Sequence, residues 1–516
     1  MRKFRKLLVI TLIAVLAITA TLPLSLEEAY AATNGVERIY GSDRYETSKK
    51  IARIMRRELG SRFETVILAY GESYADALSA SYLASVTQAP IVLTKDKLRN
   101  DTISFVDSII KKTGTVYIIG GEEVIGTRME KSLASKYNVI RLGGDNRYQT
   151  NLKVLREGDN LYKEKHGGKN DKKVLVCSGK NYPDALSAGA TGHPILLAGS
   201  KLFESQRKYV QGRGQSRYYM IGGTKAVPDK VMNALGSYGS TVRFEGKDRY
   251  DTAAVVSKKF FANLGITDKA MIVRGDSFPD GLSAAPLAQL RNCPILLYSK
   301  DNVAQAWNYE HRNKTKESIV ISGGKFIPTA GVKTAKQLST GWNKLSGRHV
   351  YLEKDGRMKN ANFVEAGYTI KVTRGGIIAN SSVEEVARME DSASYGTAVV
   401  VHIGSQTLDY VVGGQVKLTT PVVTGRRGMS TPTGTYYVRY KTRNATLAGP
   451  GYSSFVRYWM AFIGHSYGIH DASWRNQFGG NIYINNGSHG CINIPPSVMP
   501  TLYYMVPTGT KVVVKY

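Results

Sequence analysis

Arg38-Ile39-Tyr40-Gly41-Ser42-Asp43-Arg44-Tyr45-Glu46-Thr47 opens a stretch that returns twice, as Arg141-Leu142-Gly143-Gly144-Asp145-Asn146-Arg147-Tyr148-Gln149-Thr150 and as Arg243-Phe244-Glu245-Gly246-Lys247-Asp248-Arg249-Tyr250-Asp251-Thr252. The returns fall 103 and 102 residues apart, and steps that regular signal triplicated domains. Further landmarks recur in the same order. Tyr74-Ala75-Asp76-Ala77-Leu78-Ser79 matches Tyr182-Pro183-Asp184-Ala185-Leu186-Ser187 and Phe278-Pro279-Asp280-Gly281-Leu282-Ser283. The second copy carries an insertion around 165–173. Continuous apolar runs such as Val66-Ile67-Leu68 and Val116–Ile119 suit strands buried on both faces, and helical segments alternate with them. Each copy therefore reads as a small α/β unit with a largely parallel sheet.

Arg44, Arg147 and Arg249 hold one equivalent place in the three copies. A guanidinium matches phosphate or carboxylate oxygens, so contact with an anionic polymer is one reading. An arginine beside an acidic residue at a helix start, with Asp76, Asp184 or Asp280 near, favours a structural ion pair instead.

These motifs resemble the cell-wall-binding repeat 2 family of clostridial surface proteins, over residues 34–340. The resemblance implies three α/β modules, at 34–138, 139–240 and 241–340, packed together as a pseudo-threefold trimer that holds an anionic wall polymer non-covalently. The formal charge of +29 over 516 residues suits such a partner. Without residues 1–31 it is still +27, because that segment carries four basic and two acidic side chains. No nucleic-acid motif accompanies the charge, so nucleic acid is not an expected partner.

Near the C-terminus, Gly468-Ile469-His470 precedes Ser488-His489-Gly490-Cys491-Ile492-Asn493. A thiol attacks carbonyls as thiolate and needs an imidazole or a cluster of N–H groups beside it. Asn485-Asn486-Gly487 is turn chemistry that could return the histidine's strand beside the cysteine. Gly490 lets backbone approach a substrate closely and lets adjacent N–H groups face a developing oxyanion. His470 and His489 are the candidate imidazoles, His489 either acting directly or shaping the turn, and Ser488, Gly490 and Asn493 complete the supporting set. Zinc is the rival chemistry for His465, His470, His489 and Cys491, but neither Cys-x-x-Cys nor His-Glu-x-x-His spacing occurs. No metal or cofactor is expected. Residues 396–516 hold only two acids, Asp409 and Asp471, so no carboxylate pair is expected for aspartic-protease or glycosidase chemistry.

This motif, with Gly434 and Tyr458-Trp459-Met460, resembles the catalytic domain of the L,D-transpeptidases that cross-link bacterial peptidoglycan. The resemblance implies that Cys491 is the nucleophile and His470 the general base. It further implies attack at the L-centre carbonyl of a diamino acid in a tetrapeptide stem, loss of D-alanine, and 3-3 cross-linking to a neighbouring stem's amine. Water as acceptor makes the same dyad an L,D-carboxypeptidase, and a silent catalytic domain leaves a surface or adhesion protein. Many members carry arginine two residues after the cysteine and glycine or serine after the base, where this chain has Asn493 and Asp471. On an extended strand Asp471 faces away from His470, so a backbone carbonyl is the expected partner of the imidazole.

Residues 341–395 read as a linker or small connecting module, with a capping-box pattern at Ser382-Val383-Glu384-Glu385. From Gly396 to Tyr516 strand alternation dominates, including a Gly413-Gly414 hairpin turn, so this domain is expected to be mostly β. Residues 1–31 read as a signal peptide: Arg2, Lys3, Arg5 and Lys6, then an apolar run, then Ala29-Tyr30-Ala31. The expectation is an exported protein at the cell wall or surface of a Gram-positive bacterium, with peptidoglycan stems as a second partner and no membrane contact after cleavage. Cys177 and Cys293 read as buried thiols, which leaves Cys491 free.

Overall fold

The computed structural model describes residues 35–328, 332, 340–345, 348–365, 368–379, 382–449 and 451–516. The expected signal segment lies outside them. The chain forms two compact units. One runs to Tyr298 and resumes at Arg312; the other takes Ser299–His311 and the chain from Gln337 onward.

In the first unit the repeated motif is a helix start. Asp43, Asn146 and Asp248 are N-caps whose side chains accept the N–H groups of Tyr45 and Glu46, Tyr148 and Gln149, and Tyr250 and Asp251. Thr47, Thr150 and Thr252 accept from the N–H of Gly41, Gly144 and Gly246. A Cβ on Gly41 would collide with Glu46, which explains the glycine.

After β1 (Val36–Ile39), strands β2 (Phe63–Tyr70), β3 (Ile91–Thr94), β4 (Ile110–Ile119) and β5 (Asn138–Leu142) form a parallel sheet of order β3-β2-β4-β5. The next sheet repeats the pattern as β7-β6-β8-β9 with β6 (Lys173–Ser178), β7 (Ile195–Ala198), β8 (Ser216–Ile221) and β9 (Gly239–Phe244). The third is built from β10 (Lys269–Arg274), β11 (Ile295–Tyr298) and β12 (Glu317–Ile321), and its fourth strand is β1, paired in parallel as Val36↔Ser318 to Ile39↔Ile321. The three α/β modules with parallel sheets are thus as expected, but the strand that opens each repeat belongs to the sheet before it. The repeat boundaries in sequence therefore cut across the sheets. The opening arginine fastens each exchange: Arg38, Arg141 and Arg243 donate to the carbonyls of Ser322, Gly120 and Gly222.

Tyr74, Tyr182 and Phe278 meet with ring centroids 5.7, 5.8 and 5.5 Å apart. Arg147 lies over Tyr74 at 5.4 Å, Arg249 over Tyr182 at 5.7 Å, and Arg44 over Phe278 at 5.7 Å. Each arginine comes from the repeat after its ring, and Arg44 closes the cycle back onto the third.

In the second unit, hairpins β13 (Gly341–Leu345)/β14 (Arg348–Leu352) and β15 (Phe363–Glu365)/β16 (Tyr368–Ile370) precede a helix, Val383–Ala393. Ser382 precedes that helix without capping it through its side chain; its hydroxyl accepts from the N–H of Lys371 instead. The residues 304–311 pack here too, with Trp307 Nε1 donating to Gly356 O at 3.1 Å. Beyond lie β17 (Ala398–His402), β18 (Thr407–Val412), β19 (Gln415–Pro421), β20 (Gly434–Tyr437), β21 (Tyr440–Gly449), β22 (Tyr452–Ile463), β23 (Tyr467–Asp471), β24 (Ile492–Ile494) and β25 (Lys511–Lys515). They form two sheets, β19-β18-β17-β25-β20 and β21-β22-β23-β24. Gly413 and Gly414 both have positive φ in the β18–β19 turn, as a tight hairpin of that hand requires. Val399, Val401 and Leu408 of one sheet pack with Met460, Ile469 and Ile492 of the other, and the domain is mostly β. Met389 of the 383–393 helix packs against the first sheet beside Val400 and Val411.

Candidate active site

Alternation along β22, β23 and β24 separates core from site. Met460, Ile469 and Ile492 enter the core, so their neighbours Trp459, His470 and Asn493 occupy the opposite face. The registers Trp459↔His470 and His470↔Asn493 set these three side by side. Cys491 stands two residues before Asn493 on that face and packs against the cluster of Val456, Trp459 and Ala461. Cysteine and histidine therefore reach one surface from adjacent parallel strands. The expected Asn485-Asn486-Gly487 turn is the end of a short helix, Ile482–Asn486, on the crossover between them.

His470 is buried, and its Nδ1 sits 2.8 Å from the carbonyl of Asp471. With Nδ1 carrying the proton toward that carbonyl, Nε2 is left as the basic nitrogen. Trp459 stacks on the imidazole at 5.6 Å and 25°, and Trp474 lies 5.9 Å away. Burial pushes the His470 pKa below its ordinary 6.5, against the carboxylate of Asp471, while Arg475 pushes the same way as burial. Burial pushes the Cys491 thiol above its ordinary 9.0, partly offset by a hydrogen bond from the backbone of Gly468. Both shifts favour the uncharged form of the group. Gly468 is required by the ring next to it, since a Cβ there would stand 2.5 Å from Trp459.

The turn before Cys491 is held from within. The Ser488 hydroxyl donates to the Cys491 carbonyl and accepts from Gly490 N at 3.0 Å. Thr431, a residue that carried no signal in the sequence, donates to Gly490 O at 2.8 Å and accepts from Gly425 N at 2.9 Å. Gly490 has φ +117, and a Cβ on it would overlap Tyr467. His489 is exposed and stacks on Tyr452 at 4.7 Å and 13°. Asn493 is buried, its main chain pairs with Val423, and its side-chain oxygen has no hydrogen-bond partner. His465 sits 3.0 Å from the Tyr440 hydroxyl. Among the described residues no group of three or more His, Cys, Asp or Glu is arranged to hold a metal ion.

Cys177 and Cys293 are buried; desolvation raises the first thiol well above its ordinary value and the second to about 12. Arg44, Arg147 and Arg249 do not form the expected ion pairs. Each donates instead to a carbonyl at a strand's end: Gly71 at 2.7 Å, Gly179 at 2.8 Å and Gly275 at 2.8 Å. Arg147 and Arg249 also reach the hydroxyls of Tyr74 and Tyr182, at 3.1 and 3.3 Å. The aspartates are half-buried, and desolvation lifts Asp76 and Asp184 to about 6 although Arg147 and Arg249 oppose it.

Residues 38–130, 141–232 and 243–332 match the cell wall binding domain 2 family. Residues 396–514 match the family described as the L,D-transpeptidase catalytic domain. The chain is 28% identical over 329 residues to N-acetylmuramoyl-L-alanine amidase LytC of Bacillus subtilis (strain 168), covering 62% of this chain and 61% of that protein. Cwp6 from Clostridium difficile shares the fold, with TM-score 0.51 and 22% identity over 72% of this chain and 52% of that one. The catalytic domain of an Enterococcus faecium L,D-transpeptidase is 43% identical, over 23% of this chain and 96% of that one, with TM-score 0.22. The chain spans 61% of the amidase and about half of Cwp6.

Proposed function

We propose, for a chain that belongs to the cell wall binding domain 2 family and carries an L,D-transpeptidase catalytic domain after three copies of that repeat, that it is an exported, non-covalently wall-anchored enzyme forming 3-3 peptidoglycan cross-links. The observation that carries the catalytic assignment is the pairing of β23 with β24, which puts the His470 imidazole and the Cys491 thiol on one face with Nδ1 already occupied.

His470 Nε2 takes the thiol proton as sulfur attacks the L-centre carbonyl of the donor stem. The Cys491 N–H is the donor assigned to the oxyanion, because the Gly490 N–H already donates to the Ser488 hydroxyl. Collapse breaks the amide bond, and the imidazolium passes its proton to the amine of the departing D-alanine. An acceptor amine then attacks the thioester, loses a proton to His470, and frees Cys491 as the amide cross-link forms. With a purified tetrapeptide-stem muropeptide, the expected products are free D-alanine and a dimer joined through two diamino acids. Tripeptide stems alone would assign the protein as an L,D-carboxypeptidase.

A neutral resting pair fixes the pH dependence. His470 must be unprotonated to act, and its pKa lies below 6.5. The rate of Cys491 acylation by a carbapenem should rise with pH through a midpoint under 6.5 and stay level through pH 9, because the thiol titrates above that. Stopped-flow acylation from pH 5 to 9 reads this, and a midpoint near neutrality would contradict the neutral pair.

Wall retention is assigned to the three-module unit, with an anionic polymer as its partner. The cationic chain and the ring of Arg44, Arg147 and Arg249 around three aromatic rings support that reading. Replacing all three with glutamine should release the protein from purified walls in a sedimentation assay. Raising salt should release the parent protein, since the Debye length shrinks from about 10 Å at 0.1 M to about 3 Å at 1 M. Retention of a folded triple variant would return the arginines to a purely structural role.

A further inference from the structure

β22 is longer than the strand it lies against. It pairs with β23 from Ile463 to Trp459, while from Tyr458 to Tyr452 its only strand partner among the described residues is β21. The hairpin therefore leaves the sheet at the point where β23 ends, at Asp471. There the backbone ladder is replaced by a side chain. Asp471 Oδ1 accepts from Tyr458 N at 2.8 Å and Oδ2 from Arg457 N at 3.1 Å, and the residue is buried at 3% exposure. A carboxylate is suited to this place because it offers two acceptors and no donor to two adjacent N–H groups.

The same residue touches the imidazole through its main chain, since the Asp471 carbonyl faces His470 Nδ1 at 2.8 Å. Tyr458 leads directly into Trp459, whose ring stacks on the other side of His470 at 5.6 Å. A closed circuit results: imidazole, Asp471 carbonyl, Asp471 carboxylate, Tyr458 N–H, Trp459 ring, imidazole. The far part of the hairpin also reaches the site, where Tyr452 stacks on His489 in the turn before Cys491.

We propose that the Asp471 carboxylate pins the root of the β21–β22 hairpin and thereby fixes the orientation of His470, making Asp471 a positioning residue for the transpeptidation reaction. This rests on the reading of His470 as general base. The carboxylate stands on the strand face opposite His470 and does not meet the reacting atoms, so it acts through its carbonyl and through Trp459. The groups that face the imidazole are the Asp471 carbonyl and the Trp459 and Trp474 rings, with Cys491 on the same sheet face; the charges that act on it are the Asp471 carboxylate and Arg475.

The test is the acylation rate by a carbapenem, followed by intact mass across pH, for the full chain and for Asp471→Asn and Asp471→Ala. Asparagine keeps one acceptor and removes the charge, and should slow acylation roughly tenfold with KM for the donor stem nearly unchanged. Its acid limb should move to lower pH, because the carboxylate no longer favours the imidazolium. Alanine should cost on the order of 100-fold, and if it fails to fold the asparagine variant carries the test. A folded Asp471→Asn protein with the parent rate overturns the proposal. So does a slower one whose acid limb has not moved, since that result assigns Asp471 to hairpin stability alone. Failure of the parent protein to acylate at Cys491 overturns the underlying dyad, and this inference with it.

Discussion

In Cys491→Ala, release of D-alanine from a tetrapeptide stem and acylation by a carbapenem should both fall to background, a loss of about 10^4-fold or more. The reason is chemical rather than structural. Cys491 supplies the only thiol on the surface that carries His470, and a backbone N–H of Gly468 already stands ready to receive its sulfur's charge. Removing sulfur leaves the imidazole with no proton to take. Folding should survive, because Cys491 lies at the margin of its apolar cluster and its contact with Ser466 O is long, at 3.5 Å. A thermal melt close to the parent's, with no mass adduct and no released D-alanine, is the expected set of results. Alkylation under native conditions gives an internal control. Cys177 and Cys293 are buried with their thiols held protonated, so the parent should take one alkyl group and the variant none. Continued turnover by Cys491→Ala would move the chemistry to another residue.

Gly490→Ala should lose on the order of 100-fold or more in acylation rate while leaving most of the domain folded. At φ +117 a side chain is strained before any neighbour is considered, by about 1–2 kcal/mol. The new methyl would also overlap Tyr467, the first residue of β23. That strand carries Gly468 and His470, so relief of the clash displaces the base and the turn together. Displacement of about 1 Å at reacting groups costs catalysis far more than stability. A second change separates the causes: in Gly490→Ala with Tyr467→Ala the clash is gone and the backbone strain remains. Partial recovery of rate in that double variant is the expected result, measured beside the melting temperature of each protein. An unaltered rate in Gly490→Ala alone would remove the Cys491 N–H from the mechanism.

Much of the architecture could be read before any coordinates, because the deciding features are local. The Gly, Asp and Thr of the repeated motif cap one helix within ten residues, and their spacing announces it. The positions of His470 and Cys491 were legible through a motif of residue types. What stayed hidden depends on pairing between distant segments. Nothing in Val36–Ile39 distinguishes a strand that stays in its own repeat from one that pairs with Ser318–Ile321, since four residues reading Val-Glu-Arg-Ile fit either edge. The sequence sets an aspartate within reach of each arginine, but carbonyls at strand ends take the guanidinium instead and cost no buried charge pair. Asp471 was seen to face away from His470. Its carboxylate's work on β22 was not visible, because the place where one strand outlasts its neighbour is a fact of register.

The exchange of strands has a consequence for how the protein comes to be folded. Two sheets can close as their own segments emerge, since β5 and β9 lie next in sequence to the modules they complete. The third cannot be finished by the chain that follows it. It waits for β1, the earliest strand among the described residues, whose pairing of Val36 with Ser318 closes a loop spanning all three repeats. Loop closure over such a length is slow although its added entropy cost grows only with the logarithm of the length. The last step of assembly is then a single zipping event joining the two ends of the unit. Until it occurs, β12 presents an open, apolar edge, the kind of surface on which chains aggregate. A second copy's β1 could fill that edge equally well, so concentrated refolding should yield exchanged dimers in which each β1 completes its neighbour's third sheet.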